Sequence, residues 1–317
     1  MSIWTYTGTL RPGTLPAMTR GRHRVPFWRN PAVAAVSAPF GRDLDLCLRR
    51  IERSVRGARL RGARLIVFPE SALGGYLYES GEGVPDPTPT LARVPALPRD
   101  HEAFDRVAAA AGPAVVCVGY TEAAPGGLFS SAMCLSGDGI LGHHRKVHLP
   151  PGELGILSPG EGFAAFDTPV GRLGMLICYD KVFPEAARAL ALDGAEIVAC
   201  MAAWPVCRAR PARRIGRDRQ VQHFNSLDVA RAVENQVVWV AANQHGTLGR
   251  LRFPGQAKVV DPEGRVLATT GARAGTAIAR IDSRAAVHSV RHELFHLGDR
   301  VPVAYDVSLT PARRVLA

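Results

Sequence analysis

The stretch Gly171–Ala203, GRLGMLICYDKVFPEAARALALDGAEIVACMAA, decides the fold. Its first part, RLGMLIC, is an apolar run of strand length ending on Cys178, and EIVACMAA is a second such run. Between them FPEAARALALDGA has the length and spacing of a helix opening near Phe183. Two short apolar runs joined by a helix read as a βαβ unit, with the strands parallel and the helix on one face of the sheet. The thiol therefore stands at the end of a buried strand, just before a helix.

The same alternation runs outward in both directions. AVAAVSA, just after Pro31, is a first strand, and Asp43 can cap a helix whose Leu44, Cys47, Ile51 and Val55 share one face. RLIVFPE reads as a short buried strand ending at Glu70, a helix follows around Phe104 and Val107, and AVVCVGY is the next strand. FSSAMCLS and ILGHHRKVHL flank the turn GDG as a hairpin. Beyond the Pro/Gly-rich loop 150–162, FAAF leads through TPVG into the opening stretch. Downstream come the helix LDVARAVENQ, the strand VVWVAAN, the hairpin KVVDPEGRVLATT and the strand TAIARI. Helix-separated strands interrupted by hairpins predict an α/β protein with mixed sheets.

Composition narrows the class. A chain of 317 residues, 47% hydrophobic, can bury a large core, and it holds no run of eighteen apolar residues that would span a membrane. Its six cysteines, Cys47, Cys117, Cys134, Cys178, Cys200 and Cys207, form no Cys-x-x-Cys pair. That usage points to reduced thiols and a cytoplasmic setting. The formal net charge of +11 is concentrated in residues 1–31 and in CRARPARRIGRDRQ, residues 207–220. Neither shows aromatic interleaving or a DNA-binding motif, so both read as solvated arginines and no nucleic-acid partner is expected. Residues 1–31 lack the apolar core of a signal peptide and read as an extension, leaving 32–317 as one domain.

Three polar residues end or interrupt apolar runs: Glu70 closes LIVFPE, Lys146 lies in HHRKVHL and Cys178 closes MLIC. Taken singly, the cysteine reads as a small buried hydrophobe and the lysine as a solvated charge. Together they match a chemistry. A free thiol, with a pKa of about 8.5, is mostly protonated at neutral pH and needs a base or a positive charge to become a nucleophile. Glu70 could take the proton, Lys146 could hold a developing oxyanion, and backbone N–H groups just after Cys178 could complete the oxyanion site.

These segments resemble the nitrilase, or carbon-nitrogen hydrolase, superfamily. LIVFPESALGGY is similar to its glutamate segment, HHRKVHLPPGE to its lysine segment, and Gly171–Val198 to its nucleophile segment. AAWP, ARAVENQVVWVAANQ and FPGQAKVVDPEGRVLA occur in the same order. The resemblance implies an αββα four-layer sandwich with Glu70 as base, Lys146 and the Tyr179 backbone N–H at the oxyanion, Cys178 as nucleophile and Glu153 as a supporting carboxylate. It also implies a homodimer or larger homo-oligomer, with a C-terminal tail, about residues 284–317, that crosses onto the partner. Ser37 and Ala257 depart from its usual glutamine and serine.

The activity so implied is hydrolysis of a small amide or N-carbamoyl compound through a thioester, with neither metal nor organic cofactor required. ICYD before FPE resembles the amidase and carbamoylase branches more than the true nitrilases, so a nitrile substrate is the alternative. Tyr76 and Trp204 are expected to wall the acyl pocket, unless they are core aromatics. The arginine segment 207–220 reads as a solvated loop, or else offers a guanidinium to a substrate carboxylate. Two rival readings remain. HELFH, His292–His296, matches the H-E-x-x-H zinc pattern but lacks an obvious third ligand. The other is an inert binding or scaffold protein on the same fold, against which the intact Glu70, Lys146, Glu153 and Cys178 argue.

Overall fold

The computed structural model describes residues 31–76 and 94–305. The arginine-rich extension, apart from Pro31, and the end of the tail, 306–317, lie outside the described residues.

Alternation along the first strand sets the architecture. In β1 (Ala32–Ala38) every residue is buried, with Val33 and Ala35 in one core and Ala34 and Val36 in another. The second of these cores is closed by two helices. The first, α1 (Leu44–Leu60), is capped by Asp43, which accepts from the Leu46 N–H, and it buries Cys47, Leu48, Ile51 and Val55. Parallel to β1 runs β2 (Ala63–Val67), and a short β3 (Ala96–Leu97) precedes the second helix, α2 (Ala103–Ala111). Then β4 (Val115–Ala124), β5 (Gly127–Ser136) and β6 (Gly139–Arg145) extend the sheet, β4 and β5 pairing antiparallel, as do β5 and β6.

The second sheet starts with the hairpin β7 (Ala165–Thr168) and β8 (Gly171–Ile177). A 3-10 turn, Cys178–Val182, leads into α3 (Pro184–Leu192), and β9 (Ile197–Ala202) pairs parallel to β8 as the βαβ reading predicts. After α4 (Arg219–Asn235), β10 (Val238–Leu248) continues the parallel order. Three shorter strands come next: β11 (Leu251–Pro254) and β12 (Lys258–Val260), both paired to β10, and β13 (Val266–Thr269), paired to β12. Last are β14 (Gly275–Arg280), antiparallel to β1, and α5 (Ser283–Glu293).

The two sheets meet face to face, with Val33, Leu65, Val115 and Ala132 of one in the same core as Met175, Ala199 and Val240 of the other. With α1 and α2 outside one sheet and α3 and α4 outside the other, the chain is an αββα sandwich. The sheets are stitched at one edge, where β1 meets β10 only at Ser37–Asn243 and Ala38–Gln244.

One local reading is corrected, and one rival pattern fails. α4 begins at Arg219, well before LDVARAVENQ, because Asp218 accepts from the Gln220 and Val221 N–H groups and starts a helix that the arginines obscure. α5 ends at Glu293, so of HELFH only His292 and Glu293 are helical; the His292 ring stacks near His288, 6.2 Å away, while the His296 N–H bonds to Gln236. The two imidazoles therefore do not share the helix face that the zinc pattern requires.

Glu70 is placed by a close backbone approach. The chain beyond β2 stays against β4, with Phe68 N–H donating to Cys117 O and Leu73 N–H to Gly119 O. A Cβ at Gly119 would lie 2.7 Å from Ser71 N and 2.8 Å from both Glu70 Cα and Pro69 O. Gly119→Ala is expected to destabilise the protein by about 1–3 kcal/mol, since backbone lies on the other side of the contact and must shift. Thermal unfolding of the variant checks it, and an unchanged midpoint would refute the close approach.

Candidate active site

Four of the residues singled out from sequence, Glu70, Lys146, Glu153 and Cys178, converge although they come from separate strand ends and a turn. Lys146 lies just past β6, its N–H donating to Ser130 O and its carbonyl accepting from Gly160 N–H. The side chain has no exposure, and Nζ donates to Glu70 Oε1 at 2.8 Å and to Glu153 Oε1 at 2.7 Å. The neighbouring Arg145 points the other way, pairing with Glu122 over the Phe129 ring. Glu70 also accepts from Ser130 Oγ at 3.1 Å and from the Ala203 N–H at 2.9 Å. Glu153 accepts from the Tyr76 hydroxyl at 2.5 Å, and its Oε2 is buried with no hydrogen-bond partner.

The electrostatics stem from burial. Desolvation alone would lower the Lys146 pKa, but the charges of Glu153 and Glu70 outweigh it and hold the ammonium charged above the usual lysine value. Burial pushes the Glu153 carboxyl up, with the Glu70 charge adding and Lys146 opposing. Cys178, 6% exposed, is pushed well up by burial and by the Glu70 charge, against the pull of Lys146. The nucleophile candidate is thus a neutral thiol at rest, which requires a base at the moment of attack.

The thiol leaves the strand on a strained turn. Cys178 has φ +48°, a left-handed conformation uncommon for a residue with a side chain, which swings it out of the line of β8. The turn is held by Asp180, whose carboxylate accepts from the N–H groups of Ile177 (3.1 Å), Val147 (3.2 Å) and His148 (2.8 Å). Burial would raise its pKa, but His144, His148 and the backbone donors win and hold it below the usual carboxylate range. One carboxylate thereby ties the cysteine turn to the loop that carries Lys146.

Residues 32–289 match the family model described as carbon-nitrogen hydrolase. The chain belongs to that family. It is 29% identical over 300 residues to an N-carbamoylputrescine amidase of Solanum lycopersicum, covering 88% of this chain and 94% of that relative. It is 31% identical over 220 residues to a nitrilase of Pyrococcus abyssi, 69% of this chain and 76% of the relative. Among solved structures it resembles a carbon-nitrogen hydrolase from Helicobacter pylori G27, with TM-score 0.75 and 24% identity over 89% of this chain and 98% of that one. An amidase from Nesterenkonia sp. AN1 aligns with TM-score 0.70 and 24% identity, over 87% and 95% of the two chains.

In this carbon-nitrogen hydrolase Cys178 and Tyr179 open onto a cavity of about 380 Å3, walled by Tyr76, Trp204 and Leu251. Trp204 is fixed through its backbone, its N–H donating to Asn243 Oδ1 at 2.8 Å and its carbonyl accepting from Asn243 Nδ2 at 3.2 Å. Tyr76 is both wall and hydrogen-bond donor to Glu153, a second role the sequence did not reveal. Ser37 and Ala257 stand apart from the cluster: Ser37 Oγ donates to Arg273 O, and Ala257 is fully buried in the core. Among the described residues no three His, Cys, Asp or Glu side chains converge as metal ligands would. Nor is any described helix long and apolar enough to cross a membrane.

A second buried charge cluster, unforeseen from sequence, lies behind the Trp204 wall. Asp228 takes Lys181 Nζ at 2.7 Å, Lys258 Nζ at 2.5 Å and the Trp239 indole N–H at 2.9 Å. The Lys181 ammonium also sits 3.1 Å from the Phe224 ring centroid. One carboxylate cannot offset two buried ammonium groups, and burial, with repulsion from Lys181, lowers the Lys258 pKa to about 8 despite Asp228. Between that value and the unfolded lysine value of about 10.4, the unfolded chain holds a proton the folded chain has lost, so stability rises with pH across this window. Below pH 8 the penalty is complete. Lys258→Met is therefore expected to stabilise at pH 7 by about 1–3 kcal/mol, with Asp228 still paired to Lys181, and the gain should shrink towards pH 10. Urea unfolding at the two pH values checks it, and a destabilised variant at pH 7 would refute the account.

Proposed function

We propose that this carbon-nitrogen hydrolase cleaves the C–N bond of a small amide or N-carbamoyl compound through a thioester on Cys178. The observation that carries the reading is the fully buried Lys146 ammonium bridging Glu70 and Glu153 beside a neutral thiol. Such a set is costly to bury, and it holds what acyl transfer requires: a nucleophile, a base and a fixed positive charge.

Glu70 takes the Cys178 proton as sulfur attacks the carbonyl carbon, and Lys146 with the Tyr179 N–H receives the negative charge that forms on oxygen. The proton on Glu70 passes to the departing nitrogen, the C–N bond breaks, and ammonia or an amine leaves. Water then attacks the thioester, giving its proton to Glu70, and the thiol is released with the acid. Glu153, itself held by Tyr76, keeps the ammonium oriented through both steps. In the Nesterenkonia amidase the active-site cysteine bears the acetamide moiety of fluoroacetamide, which supports a cysteine-centred reaction here.

Cys178→Ala is expected to lose turnover while keeping a native circular dichroism spectrum; wild-type rates in that variant would overturn the mechanism. A hydrolysis panel scored for ammonia and carbon dioxide separates substrates, since carbon dioxide marks an N-carbamoyl compound and ammonia alone a primary amide. Nitriles in the same panel test the alternative.

Lys146→Ala is expected to reduce kcat by about 10²–10³, the usual effect of removing an oxyanion donor. It should also destabilise by about 3–5 kcal/mol, because two buried carboxylates lose their shared cation. Steady-state rates on the folded fraction and chemical unfolding check the two effects, and near-normal kcat would remove Lys146 from the chemistry. Glu70→Gln should block acylation as well as thioester hydrolysis.

A further inference from the structure

The turn that carries the thiol also carries a buried ammonium that takes no part in acyl transfer. Lys181 belongs to the 3-10 turn Cys178–Val182, and its side chain has no exposure. Asp180, one residue earlier, ties this turn to the loop of Lys146. Arg231 on α4 holds the other side, Nε donating to Lys181 O and Nη2 to Val182 O, both at 2.9 Å. The backbone of the turn is thus fixed without the Lys181 side chain. That side chain reaches on to α4, where Nζ donates to Asp228 Oδ1 at 2.7 Å and to Phe224 O at 3.3 Å.

Two rings face this ammonium. Lys181 Nζ lies 3.1 Å from the Phe224 centroid and 5.2 Å from the Trp204 centroid, and the two rings meet edge to face, 6.0 Å apart at 64°. Trp204 is part of the wall of the cavity onto which Cys178 opens. Asn243 grips its backbone, but its indole N–H is buried and has no hydrogen-bond partner among the described residues. An indole without a hydrogen bond is oriented by packing and by charge on its face, and a cation within about 6 Å of the centroid supplies that charge, most strongly where water is excluded. Lys258, the other ammonium on Asp228, comes from β12 rather than from the nucleophile turn, and the ring it faces is Phe224, at 4.3 Å.

We infer that Lys181 is a positioning residue for the reaction: it couples the nucleophile turn to the acyl-pocket wall, holding the Trp204 indole where it keeps the substrate carbonyl over Cys178. The inference rests on the thioester reading of Cys178 and extends it to what keeps the site in register. Asp228 holds the ammonium in place, and Lys258 is a second occupant that the site does not need. A displacement of about 1 Å at the reacting atoms can cost about a hundredfold in rate, so a wall that touches none of them can still govern turnover.

Two substitutions separate this role from stability. Lys181→Met and Lys258→Met each remove one ammonium and leave Asp228 paired with the other, so both should unfold in urea at or above the wild-type midpoint at pH 7. Their activities should part. Lys181→Met is expected to lose about tenfold or more in kcat/KM on whichever primary amide or monosubstituted urea the wild type hydrolyses, and Lys258→Met to stay within about twofold. A second readout needs no turnover. Iodoacetamide offers the pocket an amide to hold and methyl methanethiosulfonate does not, and mass spectrometry gives the rate at which each labels Cys178. The ratio of the two rates should fall about fivefold or more in Lys181→Met and Lys181→Gln, and stay unchanged in Lys258→Met.

An unchanged kcat/KM and labelling ratio in both Lys181 variants, or equal losses in Lys258→Met, would overturn the inference while sparing the proposed chemistry. So would a fall in folded fraction that accounts for the lost rate in both Lys181 variants. A wild type that hydrolyses nothing in the panel would remove the proposed function. In that event an unchanged labelling ratio in the Lys181 variants would overturn the inference too, and a reduced one would uphold it.

Discussion

An ammonium group with no access to solvent is the constraint around which this molecule is arranged. Taking Lys146 out of water costs several kcal/mol unless its charge and donors are met in place. The groups that meet it come from all over the chain: Glu70 beyond β2, Glu153 in the turn after Pro150, and Ser130 on β5 supporting Glu70. Ala203, beyond β9 of the opposite sheet, closes the set by donating to Glu70. Strand ends from both sheets must therefore lie at one edge of the sandwich, and the parallel order of β8, β9 and β10 delivers them there.

Asp180 supplies the complementary constraint on the nucleophile. A left-handed cysteine would relax if its neighbours allowed it, and the carboxylate prevents this by bonding Ile177 on one side of the turn and Val147 and His148 across from it. The strain at Cys178 and the placement of Lys146 are thus two results of one group.

The parts of this site that were legible in sequence are those whose chemistry conflicts with their surroundings. Glu70, Lys146 and Cys178 each end or break an apolar run, and the opening stretch could be read as strand, helix and strand because its periodicity changes cleanly. Asp180 was harder to read, since its partners are backbone N–H groups that any sequence offers. The Lys181, Asp228 and Lys258 cluster could not be read at all, because its members meet only once α4, β10 and β12 are in register. HELFH misleads for a related reason: the pattern presumes a helix through both histidines, and the helix stops between them. The start of α4 was hidden by arginines whose exposure leaves the apolar rhythm without a face, whereas its cap, Asp218, was visible as a residue type but not as a helix start.

Two adjacent residues of β10 have a bearing on how the chain reaches this state. Asn243 grips Trp204 and the Gly255 carbonyl, while Gln244 donates to the Glu70 carbonyl and accepts from the Phe40 N–H. Successive residues of a strand face opposite ways, so a slip of one position would turn each amide away from its partners and leave buried carbonyls unmet. The pair acts as a proofreading latch on assembly, since a misaligned β10 can close neither the segment carrying Glu70 nor the one carrying Trp204. The reactive edge is therefore complete only in a chain whose two sheets are correctly aligned. A partly folded chain carries all the chemical groups of the enzyme without the arrangement that would let the thiol act.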